Sequence, residues 1–222
     1  MTWFDIHRFD QDLTLAINSW NSTISDPIWV FFSKIPVWIP LYILIVALII
    51  WKLGWKKGLV VVGGALLTFL FCDQFSNFIK ETVGRLRPLR DDYMIANGLH
   101  ILEQGGTFGF FSAHSANAFG LATSTVIGLK LDKDFKWQRY AGFMYSWAFL
   151  VATSRIFVGK HYLGDCIVGT LVGIAAGFAF GSLARWVIRK ISFGLMWDTQ
   201  TGGYSVYCTD GIVSKAGGVT AY

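Results

Sequence analysis

The chain has 222 residues, 54% of them hydrophobic and only 15% charged, with a mean hydropathy of +0.48. Soluble domains carry about 25% charged residues, so this composition excludes an ordinary soluble domain and points to a membrane protein. The net charge of +5 is spread over short loops without a basic block, which argues against a nucleic-acid partner. The dispersed Cys72, Cys166 and Cys208 argue against a disulfide framework or a zinc site.

In chain order, residues 4–20 place Phe4, Phe9, Leu13, Ala16, Ile17 and Trp20 roughly on one face. This predicts an amphipathic helix, either lying in the membrane interface or packing over a bundle. Asp5, His7, Arg8, Asp10 and Asp12 interrupt any apolar core, so the start does not read as a signal peptide. Asn21 to Pro27 reads as a turn and Ile28 to Phe32 as a short apolar element. Five spans follow, judged by the need for about 20 apolar residues per crossing. They are expected near residues 35–51, 59–79, 112–129, 140–152 and 162–188. The fold class is therefore all-α, a polytopic bundle of about five core transmembrane helices plus the amino-terminal helix. The chain divides into an interfacial segment at 1–34, a membrane domain at 35–190 and a polar tail at 191–222.

Lys52, Lys56 and Lys57 follow the first span, Lys130, Lys133, Lys136 and Arg139 the third, and Arg185, Arg189 and Lys190 the fifth. With five crossings these segments share one side, which the positive-inside rule makes cytoplasmic. The loop at 80–111 and the turn at 153–161 then face outward. That outer loop carries Lys80, Arg85, Arg87 and Arg90 against the rule, and such a cluster requires a functional reason.

Three constellations carry possible chemistry. In Lys80-x6-Arg87-Pro88, a helical spacing of seven brings both cations within about 20° of one face, with Pro88 ending the helix. In Phe111-Ser112-Ala113-His114-Ser115, Ser112 suits an N-cap, and free amides at a helix start suit a phosphate. In Ser154-Arg155-x5-His161-x3-Asp165, a helical His161 and Asp165 stand one turn apart. The carboxylate can then hold one ring nitrogen and free the other, while Arg155 clamps an oxyanion. Taken singly, each has a plainer reading: a basic cluster meeting lipid phosphates, a capped helix, a satisfied polar pair. Together they converge on the outer side as an oxyanion site with two titratable histidines. No G-x-S-x-G elbow, HExxH helix or P-loop competes with them.

In order and spacing over about residues 20–190, these motifs resemble the signature of the type 2 phosphatidic acid phosphatase family, shared with vanadium haloperoxidases and glucose-6-phosphatases. The resemblance implies that His161 attacks phosphorus and forms a phosphohistidine, and that Asp165 orients His161. His114 would protonate the leaving oxygen and then activate water. Lys80, Arg87, Arg155, Ser112 and the Ala113 amide would bind the phosphoryl oxygens. No metal or other cofactor is implied. A haloperoxidase reading would need a soluble helical domain, which the apolar spans oppose. The family's second motif has proline and glycine where this chain has Phe111 and Ala113, and alanine would be strained if the backbone needs φ > 0.

The expected protein is a multi-pass lipid phosphatase of the inner (plasma) membrane, its site facing the periplasm or outside and its partners the bilayer and a lipid phosphate. Undecaprenyl pyrophosphate is the first substrate expectation, with lipid A, phosphatidylglycerophosphate and phosphatidic acid as alternatives. A non-catalytic lipid-phosphate binding or transport protein is the rival from another class. Asp73, inside an apolar span, is expected to support Arg155 or another cation from beneath the site. Arg85, Arg90, Asp91, Asp92 and His100 are expected in a solvated lid loop.

Overall fold

Residues 3–194 of this computed structural model are described; they are helical, with an isolated bridge between Leu86 and Phe108 as their extended pairing. In chain order the helices are α1 (Trp3–Asn18), α2 (Ser25–Ser33), α3 (Ile39–Val83), α4 (Asp92–Ala96), α5 (Ala113–Leu129), α6 (Trp137–Phe157) and α7 (Leu163–Gly194). Apart from α7 running on to Gly194, the expected polar tail lies outside the described residues.

Helix α3 is two spans in one. Gly54 takes φ 73 and ψ 162, a region open essentially to glycine alone, and the chain reverses there. A Cβ at Gly58 would lie 3.0 Å from the Ile50 Cα, whereas a continuous helix holds such residues about 12 Å apart. Ile45 and Ile49 of the first arm and Val61 of the second consequently share one apolar cluster. The spans expected near 35–51 and 59–79 are thus the arms of an antiparallel hairpin. Segments Ile35–Val83 and Leu163–Lys190 are long and apolar enough to cross a membrane. Their exposed faces carry Ile43, Leu44, Leu66, Leu70, Leu171 and Phe178, a surface that a bilayer covers and water does not.

Helix α5 is the central element, buried nearly all round by α3, α6 and α7. Its closest neighbour is α7, and a glycine stripe explains why. A Cβ at Gly169 would stand 2.4 Å from the Ser112 carbonyl oxygen, one at Gly173 2.2 Å from that of Ala116, and one at Gly177 2.6 Å from that of Gly120. Small residues every fourth position let two backbones touch where lipid supplies no hydrophobic drive.

The polar face of α1 is the one turned inward: Gln11, Thr14 and Asn18 are buried, whereas Phe4, Ile6 and Phe9, and Trp20 just beyond the helix, are exposed. Asn18 fastens it. Its Nδ2 donates to the carbonyls of His100 (3.1 Å), Ile156 (3.0 Å) and Phe157 (3.2 Å), and its Oδ1 accepts from the His100 amide at 2.8 Å.

The two ends of the bundle differ in kind. At one, Lys52 from the α3 hairpin lies over the Phe135 ring of the α5–α6 connection and Lys130 over Trp137, with exposed Trp51 and Trp55 beside them. At the other are the ends of α3 and α6, the starts of α5 and α7, and the 84–112 connection.

Candidate active site

His161 is set by how α6 gives way to α7. Gly159 at φ 79 closes α6, and the amides of Lys160 and His161 both donate to the Arg155 carbonyl (3.1 and 3.2 Å). Helix α7 starts only at Leu163, so His161 stands before the helix rather than on it. The pairing with Asp165 survives because Asp165 folds back over the helix start. Its Oδ2 accepts the Tyr162 amide at 3.2 Å, one half of a capping box, and lies 3.3 Å from His161 Nδ1. Both side chains are buried, at 2% and 0% exposure.

Burial first, then the charges of Arg155, Arg87, Lys80 and Lys160, push His161 well below its ordinary pKa of 6.5. Its ring is therefore neutral at neutral pH, the form that can attack an electrophile.

Arg155, 2% exposed, ends α6. Its Nη1 donates to the Ser33 hydroxyl and, at 3.3 Å, to the Ser33 carbonyl. Glu103 stands 3.9 Å from the same nitrogen and accepts from Lys160 Nζ and Ser33 Oγ, each at 2.8 Å. Burial raises the Glu103 carboxyl, but these hydrogen bonds and the Lys160 and Arg155 charges bring it below its ordinary range. Glu103, not Asp73, is the carboxylate behind Arg155. Among the described residues no ion pair joins Asp73 to an arginine, but its charge reaches Lys80, so the expectation fails for Arg155 and holds for another cation. Seven residues back along α3, Asp73 lies about 10 Å deeper than Lys80.

Lys80 and Arg87 do not share a helical face. Helix α3 stops at Val83, where Gly84 adopts φ 64 and its amide closes on the Lys80 carbonyl. Arg87 is carried back by a separate device. Its amide donates to the Thr107 carbonyl at 3.0 Å and its Nε to that of Phe108 at 2.9 Å. Gly105 and Gly109 make room for it, since a Cβ at either would come within 3.1 Å of the arginine side chain. Both cations nevertheless act on His161.

Ser112 is the N-cap of α5 and is fully buried, its hydroxyl oxygen accepting from the Ser115 amide (3.3 Å) and hydroxyl (3.0 Å). Its own amide donates to the Asp165 carbonyl at 3.0 Å, tying the start of α5 to that of α7. The amides of Ala113 and His114 in the first turn have no intrahelical acceptor, as an anion site requires. Ala113 takes no strain, because positive φ among the described residues is confined to glycines. Phe111 is buried against Phe75, and its carbonyl accepts from Ser76 Oγ at 3.1 Å. His114, facing the charges of Arg155, His161, Lys160 and Lys80, lines a small cavity with Ser33, Asn117 and Trp147.

The solvated-loop expectation holds for exposed Arg90 and Asp92 and fails for three neighbours. Arg85 is ion-paired to Asp165 (2.9 Å) and Asp10 (2.7 Å). Asp91 accepts from Tyr162 Oη (2.6 Å) and Gln11 Nε2 (2.7 Å), and His100 pairs with Asp26 at 3.0 Å. In each case α1 or α2 covers a segment that sequence order alone leaves in solvent. The signal for this was the polar stripe Asp10, Gln11, Thr14 and Asn18 at helical spacing, which marks a docking face in an apolar protein. Ser33 and Glu103 had no comparable signal.

The PAP2 superfamily profile matches residues 58–189. The lipid A 4'-phosphatase of Bacteroides thetaiotaomicron is 33% identical over 87% of this chain and 83% of its own length. The lipid A 4'-phosphatase of Porphyromonas gingivalis is 30% identical over 78% and 71%. Among solved structures, the PAP2-type phosphatidylglycerolphosphate phosphatase of Bacillus subtilis aligns with a TM-score of 0.63 at 21% identity, covering 84% of this chain and 88% of its own. Aquifex aeolicus LpxE aligns with a TM-score of 0.56 at 23% identity, covering 76% and 92%. At those identities the two structures speak for the fold.

Proposed function

The chain belongs to the PAP2 superfamily and is a membrane lipid phosphatase, and from that premise we propose that it removes a phosphate from lipid A at the outer face of the inner membrane. The observation that carries the substrate is the match to two lipid A 4'-phosphatases over more than two thirds of their length. Lipid A therefore takes the place of undecaprenyl pyrophosphate, the first substrate expectation from the sequence. The outward orientation rests on the basic end at Lys52, Lys56, Lys57 and Lys130, opposite the site, and the positive-inside rule.

The chemistry follows from the placement of the side chains. With Asp165 on Nδ1, the Nε2 lone pair of His161 attacks phosphorus and the bond to the sugar oxygen breaks. His114 gives that oxygen a proton, so the lipid leaves as an alcohol and the phosphoryl group stays on His161. His114 next takes a proton from water as the water oxygen bonds to phosphorus, and the P–N bond breaks to release inorganic phosphate. Lys80, Arg87, Arg155 and the first amides of α5 balance charge on the phosphoryl oxygens throughout. Ser112 contributes by capping α5 and so aiming those amides. The acyl tails have an apolar path: a cleft of about 290 Å³ between the arms of α3 and α5 shares Ile35, Tyr42, Phe69 and Asn117 with the cavity at His114.

The test is phosphate release in detergent, with EDTA present, from lipid A, undecaprenyl pyrophosphate, phosphatidylglycerophosphate and phosphatidic acid. Lipid A should turn over fastest, activity should persist in EDTA, and His161→Ala should abolish it. Preference for another of these lipids would overturn the substrate. A metal requirement would overturn the mechanism. Binding of lipid A without release of phosphate from any lipid would establish the non-catalytic rival.

A further inference from the structure

Arg85 reaches the catalytic pair from a direction that the phosphoryl-binding cations do not use. Its Nη1 donates to Asp165 Oδ1 at 2.9 Å, and its Nη2 donates to Asp10 Oδ2 at 2.7 Å and lies 3.1 Å from His7 Nδ1. Both terminal nitrogens of the fork are thus engaged, by two carboxylates and an imidazole, while its Nε has no partner among the described residues. The Tyr162 ring lies 3.9 Å from the guanidinium carbon, and Tyr162 is itself anchored through its hydroxyl to Asp91. The second oxygen of Asp10 accepts the Gly164 amide at 2.8 Å, so α1 grips the start of α7 and the guanidinium with one carboxylate. On Asp165, Oδ1 is taken by Arg85 and Oδ2 by His161 and Tyr162. Neither oxygen is free to rotate away.

We propose that Arg85, clamped by Asp10, is a positioning residue: it fixes the rotamer and the ionised form of Asp165 so that Oδ2 faces His161. The amino-terminal helix is then part of the catalytic apparatus rather than a separate interfacial anchor. The inference rests on His161 and Asp165 acting as nucleophile and orienter. Its physical basis is that a carboxylate buried to 0% exposure needs a countercharge in a fixed place. Without one it takes up a proton or turns toward water, and in either case the imidazole loses its partner.

The experiment compares Arg85→Ala, Arg85→Lys and Asp10→Asn in the full-length enzyme with lipid A as substrate and inorganic phosphate as competitive inhibitor. Arg85→Ala should lower kcat roughly 100-fold, the scale of a small misplacement at a reacting centre, with KM nearly unchanged. Asp10→Asn should lose roughly 10-fold, as partners behind a first ligand commonly do. Arg85→Lys should fall between, keeping the charge but not the fork.

The pH profile separates positioning from simple stabilisation. Asp165 is faced by Arg85 and Arg87 from the 84–91 segment, Lys80 from α3, His161 beside it, and His7 and Asp10 from α1. Removing Arg85 deletes the cation in contact, so the acid limb of kcat/KM should move to higher pH while the inhibition constant for phosphate stays as in the wild type. An unshifted profile, or a wild-type kcat in Arg85→Ala, overturns the proposal. So does parallel loss of phosphate inhibition and thermal stability, which marks a structural staple. A wild-type enzyme inactive on every lipid phosphate instead refutes the parent reading, and is seen before any variant is made.

Discussion

The distance between the two halves of the site is set by the glycine contacts of α7 on α5, of which Gly173 makes the tightest. His161 and Asp165 belong to the start of α7 and Ser112, Ala113 and His114 to the start of α5, and Gly173 lies where these helices touch. A Cβ placed there would fall 2.2 Å from the Ala116 carbonyl oxygen and 2.8 Å from its Cα, against 3.4 Å for an ordinary contact. The obstacle is backbone, so no side chain can turn aside, and the helices must part by about 1 Å. Overpacking of this kind costs about 1–3 kcal/mol, and a displacement of that size at reacting groups costs about 100-fold in rate. Gly173→Ala should therefore turn lipid A over far more slowly and melt earlier in detergent. Gly63→Ala, with nothing within 4 Å of its Cβ, should resemble the wild type, and Gly181→Ala, whose Cβ would lie 3.1 Å from the Ser124 Cα, should fall between. Equal behaviour of Gly173→Ala and Gly63→Ala in both assays would refute the idea that this contact sets the site.

Two further outcomes are expected. Protonation of His161 removes its lone pair, and its pKa lies well below 6.5 through burial first and the surrounding cations second. The limb of kcat/KM that belongs to it should thus stay flat as pH falls through 6.5 and decline only below; a midpoint at or above 6.5 would contradict a buried neutral nucleophile. Asn18→Ala leaves the His100 and Phe157 carbonyls and the His100 amide without this partner, while the Ile156 carbonyl keeps the Gly159 amide; this should cost about 1–3 kcal/mol and expose α1 to limited proteolysis, whereas an unchanged melt would show that Asn18 does not fasten the helix.

Much of this protein is legible in its sequence, because the signals are local. Apolar runs of span length, the cap at Ser112 and the His161–Asp165 spacing each depend on neighbours within a turn or two. Membership of the superfamily follows from the same short motifs. The reading goes astray where a local rule was extended too far. The spacing of Lys80 and Arg87 predicts one helical face, but Gly84 ends the helix between them, and the two come together through the contact of Arg87 with Thr107 and Phe108.

Tertiary structure alone decided which charges answer which. Arg85 meets Asp10 and Asp165 across 75 and 80 residues, Arg155 meets Ser33 across 122, and Glu103 meets Lys160 across 57. No periodicity encodes such pairings, because they depend on how close the helices stand. That closeness comes from Gly169, Gly173 and Gly177, whose spacing is plain in the sequence but whose partners on α5 are not. The sequence by itself determined the chemical groups and the helices that carry them. Packing determined that the polar face of α1 turns inward, since the ionic groups around Asp165 cannot be left uncompensated in an apolar bundle.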